Sequence, residues 1–204
     1  MLVAMVSCSQ AKKSAESQVS LAEYRVQHLR HLTEDPRSPI AESDLPDIDF
    51  FPENKEWDIK CSCRLLENEK PFELPTYSGI TRTYIRFARA DCKNKVGKFS
   101  LTIYRNLSQP NNPIYKDHLF LPFKDHTNGE ETYGGGRYID LKQSSIKGNS
   151  IRIDFNKCYN PWCAYSDGYN CPVPPRDNHL ELSVPAGEKN FRGDHKKGNP
   201  KQPK

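Results

Sequence analysis

The chain has 204 residues, of which 35% are hydrophobic, with 16 prolines, 11 glycines and a formal net charge of +4. So little apolar content, broken so often, excludes a bundle of long helices and draws the core from part of the chain only. The segment from Arg192 to Lys204 holds five Lys/Arg and one Asp, which accounts for the whole net charge. The remainder is balanced, which weighs against the basic face that nucleic-acid binding needs, and no nucleic-acid partner is expected.

The first eight residues, Met1-Leu2-Val3-Ala4-Met5-Val6-Ser7-Cys8, form an apolar run that ends at a small residue and a cysteine. This looks like the end of a bacterial lipoprotein signal, in which cleavage precedes the cysteine and the thiol carries lipid. Residues 1–7 then read as a signal remnant and 8–13 as a tether. Two or more acyl chains on Cys8 would hold the protein firmly on a lipid bilayer. The expected location is the bacterial cell envelope, or the cytoplasm if this run is not a signal, since it is shorter than a full signal core and no Lys or Arg precedes it.

Residues 14–56 read as a helix and a connector. Val19, Ala22, Val26 and Leu29 lie at helical spacing between Ser14 and Leu32, flanked by Leu21 and Leu32. Asp35-Pro36 and Ser38-Pro39 end the helix, because proline cannot continue it and restrains its predecessor. The Pro- and acid-rich stretch from Ser38 to Lys55 follows, with Phe50 and Phe51 as packing anchors.

Over residues 57–190 the period changes to two. Ile59, Cys61, Cys63 and Leu65 alternate with polar residues, and so do Thr83, Ile85 and Phe87; Phe99, Leu101 and Ile103; Leu119, Leu121 and Phe123; Ile151, Ile153 and Phe155; and Leu180, Leu182 and Val184. Strict alternation marks strands with one buried face. Turns are expected between Asp91 and Lys98, at Gly134-Gly135-Gly136 and at Lys147-Gly148-Asn149. The fold class is mainly β: a small β-sandwich or partly open β-barrel of about six to eight short antiparallel strands after one N-terminal α-helix. The basic segment 191–204 has almost nothing apolar to bury and reads as disordered.

Several longer motifs stand in the β region: Pro122-Phe123-Lys124-Asp125, Glu131 to Tyr138, Asp154-Phe155-Asn156, Tyr159 to Tyr165, Cys171 to Pro175, and Ala186-Gly187-Glu188-Lys189. Together they resemble the bacterial, uncharacterised family called domain of unknown function 1684, over about residues 20–190. The resemblance implies a mostly β fold and carries over no reaction.

Four constellations carry chemistry. Six cysteines remain besides Cys8, an even number that suits disulfides in an exported protein. Cys61 and Cys63 share one face of a strand, Cys92 is a plausible partner for one of them, and Cys163 and Cys171 close a short loop. Zinc is the weaker alternative, because the spacing is not that of a ribbon and His118, His126 or His179 would have to complete it; no metal or other cofactor is expected. The glycine turn leads into a strand, so it lacks the helix start of a phosphate loop. Arg137 is expected either to pair with Glu131 or Asp154 or to fork onto a ligand anion. Asp125, His126, Glu131 and Asp154 are the candidate acid/base groups. Glu131, Tyr133, Arg137, Asn156, Tyr159, Asn160 and Trp162 are the candidate ligand-binding groups, since rings beside amides suit a small polar or carbohydrate-like ligand. Three functions follow: an envelope-anchored, non-enzymatic binding domain; a hydrolase using a carboxylate/His site; and a structural, partner-binding lipoprotein.

Overall fold

The structure is a computed structural model that describes residues 19–108 and 115–198. Cys8, the tether and the first residues of the expected helix lie outside the described residues.

The period-two segments become strands β1 (Asp58–Leu65), β2 (Phe72–Pro75), β3 (Thr81–Lys93), β4 (Lys98–Asn106), β5 (His118–Phe123), β6 (Arg137–Lys142) and β7 (Ser150–Asp154). They form one antiparallel sheet in the order β6-β5-β4-β3-β1-β7, curled into a half-barrel. This is the partly open barrel among the expected forms. Strand β3 is long enough to serve two neighbours on one side: Thr81–Tyr84 pair with β2, and Ala88–Asp91 pair with β1. The register with β4 slips between Arg86 and Ala88, leaving Phe87 as a bulge that bends the strand.

The alternating residues meet inside the curl. Leu101, Ile103, Leu119, Leu121, Phe123, Ile139, Ile151 and Ile153 pack around Trp57 and Phe155. Cys61 and Cys92 face each other across β1 and β3 and are joined by a disulfide, their Cα atoms 4.4 Å apart. That is the close spacing of a directly opposed pair without ladder hydrogen bonds.

Leu180, Leu182 and Val184 are not a strand. Leu180 and Val184 close the core, while the carbonyls of Val184, Ala186 and Glu188 turn toward the guanidinium of Arg137. Carbonyls committed to a side chain are withheld from a ladder.

The helix α1 (Leu21–Glu34) starts at Ser20, whose Oγ accepts the Glu23 N–H, and stops at Asp35 before Pro36. Only the C-terminal end of its expected apolar stripe packs: Leu29 and Leu32 join Ile40, Ile48 and Tyr165, whereas Val19 and Val26 are exposed, at 41% and 57%. The rest of the docking is through Tyr24, Arg25 and His28. The Tyr24 hydroxyl donates to the Lys157 carbonyl (2.8 Å), and Arg25 Nη2 donates to the Phe51 carbonyl (2.7 Å). The surface it meets is lined by loop carbonyls and carboxylates, so polar and aromatic residues make the better match.

The segment expected to be disordered from residue 191 is docked as far as it is described. Phe191 meets the Tyr165 ring edge-on at 5.3 Å, Arg192 donates to the Pro46 carbonyl, and Lys196 pairs with Asp44 and donates to the Pro39 carbonyl. Its cations find acids and carbonyls of the connector, which composition alone does not reveal.

Candidate functional site

Arg137 opens β6 directly after the glycine turn. Gly136 has φ +93, and a Cβ there would fall 2.6 Å from the Phe123 carbonyl oxygen, so glycine is what lets the chain enter β6 at this point. Arg137 then points into the core rather than at a ligand. It is 0% exposed, its Nη2 lies 2.8 Å from Asp125 Oδ2, and its other bonds go to the Thr127 hydroxyl oxygen and to the carbonyls of Val184, Ala186 and Glu188. The expected partners Glu131 and Asp154 are replaced by Asp125. The second Asp125 oxygen accepts from the backbone and hydroxyl of Thr127 and from the Val184 N–H. This is a closed electrostatic latch between β6 and the 184–188 segment.

Glu188 is a second buried acid, and it faces the other way. Oε1 accepts from the Tyr165 hydroxyl and Asn160 Nδ2; Oε2 accepts from the Asn160 N–H and lies 3.3 Å from His28 Nε2. The ring of His28 lies 5.6 Å from that of Tyr159. The Tyr159 hydroxyl donates to Asp140 Oδ2 (2.9 Å), and Asp140 Oδ1 lies 2.8 Å from His118 Nε2. Two His–carboxylate pairs are therefore joined through one tyrosine.

The joining follows from strand geometry. On β5 the core takes Leu119, Leu121 and Phe123, so His118 and Phe120 point to the outer face. On β6 the core takes Ile139 and Leu141, so Tyr138 and Asp140 point outward as well. Tyr159 exchanges both backbone hydrogen bonds with Tyr138 and lies along the outer side of β6, partly covering an edge that would otherwise be unpaired. Helix α1 and the loop segments 159–162 and 168–172 rise opposite that face. Between them lies a cleft of about 640 Å³ whose walls include Tyr24, Tyr84, Phe120, Tyr138, Tyr159, Trp162 and Tyr169, with His28, His118, Asp140 and Asn160 among the polar groups.

Burial, more than any single charge, shapes the chemistry of these hydroxyls. It pushes Tyr159 well above the ordinary phenol value, with the Asp140 charge adding to it, and pushes Tyr138 the same way. Tyr169 is pushed up to about 12, again chiefly by burial. The hydroxyls remain protonated donors across the physiological range. Asn160 is 1% exposed, and its Oδ1 is a buried acceptor without a partner among the described residues.

The expected site residues separate into two groups. Tyr159, Asn160 and Trp162 line the cleft. The others lie elsewhere. Arg137 and Asp125 form the closed latch. Asn156 is buried and bonds the backbone of Asn54. Asp154 caps the turn at Phe155–Lys157 and pairs with Lys157. Glu131 is exposed, His126 lies 3.3 Å from Glu181 on the surface, and Tyr133 packs against Tyr77. Asp125, His126, Glu131 and Asp154 thus do not form one acid/base constellation. Of the cysteines, Cys61 is bonded to Cys92, while Cys63, Cys163 and Cys171 are free. Among the described residues no three His, Cys, Asp or Glu side chains are grouped to hold a metal ion.

His28, Asp140 and the role of Glu188 are the parts that sequence reasoning missed, and His118 stood there only as a candidate metal partner. Their signals were present: Tyr24, His28 and Leu32 recur every four residues on one helix face, and His118 and Asp140 fill off-core positions of β5 and β6.

An antiparallel half-barrel with one docked helix and an aromatic cleft on its outer face defines the class of protein. The family model for the protein of unknown function DUF1684 matches residues 43–189, and the chain belongs to that family. It is similar to the solution NMR structure of the uncharacterized protein from gene locus rrnAC0354 of Haloarcula marismortui, with 30% sequence identity and a TM-score of 0.65; the match covers 83% of this chain and 91% of that chain. Comparison with curated proteins gives no match.

Proposed function

We propose that the protein binds a small polar, ring-bearing ligand, carbohydrate-like in chemistry, in the cleft between α1 and the outer face of the sheet. The observation that carries this reading is the wall itself. Tyrosine and tryptophan faces alternate there with His–carboxylate pairs. Ring faces supply stacking area, and the hydroxyls of Tyr24, Tyr138, Tyr159 and Tyr169, whose hydrogens are held by Lys157, Pro172, Asp140 and Arg37, offer fixed acceptor oxygens. The two tryptophans make the test direct, because Trp57 is in the core and Trp162 is at the cleft. Titration with neutral mono- and disaccharides, followed by indole N–H resonances, is expected to shift Trp162 saturably and leave Trp57 in place. Shifts spread evenly over both, or absent from the whole panel at millimolar concentration, overturn the reading.

One observation favours a hydrolase as the second reading: His28 and His118, each held on a carboxylate, stand in the same cleft. Turnover of nitrophenyl esters or glycosides that is abolished in His118→Gln and His28→Gln supports it. The envelope location rests on the Met1–Cys8 run, which lies outside the described residues. Lipid on Cys8 would tether the domain to a bilayer, and a Cys8→Ala protein that stays in the membrane fraction sinks this part of the proposal.

A further inference from the structure

The Cys163-to-Cys171 loop forms part of the wall of this cleft and carries chemistry that ligand binding does not use. The N–H of Cys163 donates to the sulfur of Cys171 at 3.3 Å. The Cys163 Sγ donates to the Tyr169 carbonyl at 3.2 Å, and each sulfur is the strongest influence on the acidity of the other, so the two thiols are neighbours in the loop. Their surroundings differ. Cys163 is partly exposed, whereas Cys171 is buried, at 8% exposure, against the cleft. Other contacts hold the loop whatever the state of the sulfurs. Tyr165 is fully buried on Glu188, Ser166 Oγ donates to the carbonyls of Lys196 and Gly198, and the Tyr169 hydroxyl donates to the Arg37 carbonyl.

We propose that Cys163 and Cys171 form a thiol–disulfide exchange site, with Cys163 as the attacking thiol, Cys171 as the resolving thiol, and a low-molecular-weight disulfide as co-reactant. The hydrogen bond from Cys171 holds the Cys163 thiol below its ordinary value, while the same shared hydrogen bond, with burial, pushes Cys171 up. This division suits one exposed nucleophile and one protected partner, since the thiolate is the attacking form. Cys163 thiolate attacks one sulfur of the external disulfide; a mixed disulfide forms, and the first external thiolate leaves and takes a proton. Cys171 thiolate then attacks the Cys163 sulfur, the Cys163–Cys171 bond forms, and the second external thiolate leaves and takes the Cys171 proton. Both cysteines are oxidised and the external disulfide is reduced to two thiols, so two electrons and two protons pass from the protein. Cys61–Cys92 is already bonded, and Cys63 and Cys158 are buried, so this pair is the exchangeable one among the described cysteines.

The test uses full-length protein, reduced and then treated with oxidised glutathione, with peptide mapping by mass spectrometry. Wild type is expected to lose two hydrogens across the peptides of Cys163 and Cys171 without retaining glutathione, and to regain them in reduced glutathione. Cys171→Ser is expected to accumulate one glutathione on Cys163, and Cys163→Ser to leave Cys171 unmodified. Alkylation of the wild type by iodoacetamide, which needs no variant to fold, is expected to label Cys163 at least tenfold faster than Cys171, Cys63 or Cys158. A stable glutathione adduct on wild type, equal labelling of Cys163 and Cys171, or a Cys163–Cys171 bond that millimolar reduced glutathione does not open would each overturn the proposal. The last result would mark a structural cystine.

Discussion

Nε2 of His28 lies 3.3 Å from Oε2 of Glu188, across 160 positions of sequence. The contact joins the polar face of the only long helix among the described residues to the Ala186-Gly187-Glu188 motif. Glu188 also accepts from Tyr165 and twice from Asn160, so its two oxygens meet four donors. A glutamine in its place would turn an amide N–H₂ toward one pair of those donors. Glu188→Gln is expected to cost about 1–3 kcal/mol, the usual penalty for leaving a buried polar group unmatched. The loss should be local. Hydrogen exchange of α1 amides is expected to quicken, while amides in the centre of β3 and β4 keep their protection. Unchanged α1 exchange would mean that Tyr24, Arg25 and Leu32 hold the helix without help from His28.

The Arg137–Asp125 pair behaves differently, because no water reaches either partner. Removing one member leaves an uncompensated charge in the core, which costs about 3–5 kcal/mol in buried pairs generally. Arg137→Met and Asp125→Asn are each expected to fall in that range by denaturant unfolding. The double variant is expected to be less destabilised than the sum, since no charge is left alone. Strict additivity would show that the guanidinium serves the Val184, Ala186 and Glu188 carbonyls and that its bond to Asp125 contributes nothing.

These two acids also show what could be read from sequence and what could not. Alternation placed Leu119, Leu121 and Phe123 on one buried face, and β5 carries them there, because a period of two is a local property. Cys92 was legible only as a partner for Cys61 or Cys63, and was expected in the turn rather than in β3; that Cys61 is the partner depends on the register of β1 against β3, which is not local. Alternation with Ile139 and Leu141 puts Arg137 on the core face of β6, but what satisfies a guanidinium there is not local. It depends on Val184, Ala186 and Glu188 arriving with their carbonyls turned inward, from a segment whose Leu-x-Leu-x-Val pattern imitates a strand. Helix α1 misled in a similar way, since Val19 and Val26 mark a docking face only if the docking surface is apolar. Gly187 carries a trace of that hidden packing: its φ is +76, and a Cβ would fall 2.3 Å from Cys158 Sγ. A glycine inside an otherwise specific motif was a sign of close approach that periodicity could not use. Aromatics and amides in the 159–162 loop did point to the cleft, whose opposite walls come from strands and a helix far away in sequence.

The C-terminus of α1 provides a pH-dependent prediction. Asp35 caps the helix end, where a negative charge is disfavoured by the helix dipole, yet its side chain is only 6% exposed. Arg37 makes this tolerable: its Nη2 and Nε donate to the two carboxylate oxygens at 2.8 and 3.1 Å. The hydrogen bond from Arg37, against the opposing effect of burial, holds the Asp35 carboxyl below its ordinary value. Between the lowered folded value and the ordinary unfolded one, the unfolded chain binds the proton more readily, so acid favours unfolding. The stabilisation is therefore complete at neutral pH, starts to fade near the ordinary aspartate value of about 3.9, and is lost as pH falls through the folded value. Because the guanidinium is 65% exposed, salt and solvent weaken the pair, and the full contribution is about 1 kcal/mol. Thermal unfolding followed from pH 7 to pH 3 should show a steeper acid decline in the wild type than in Asp35→Asn, with the two curves converging at the acid end. Parallel curves would assign the acid sensitivity to other carboxylates, such as Asp49, whose value is also lowered.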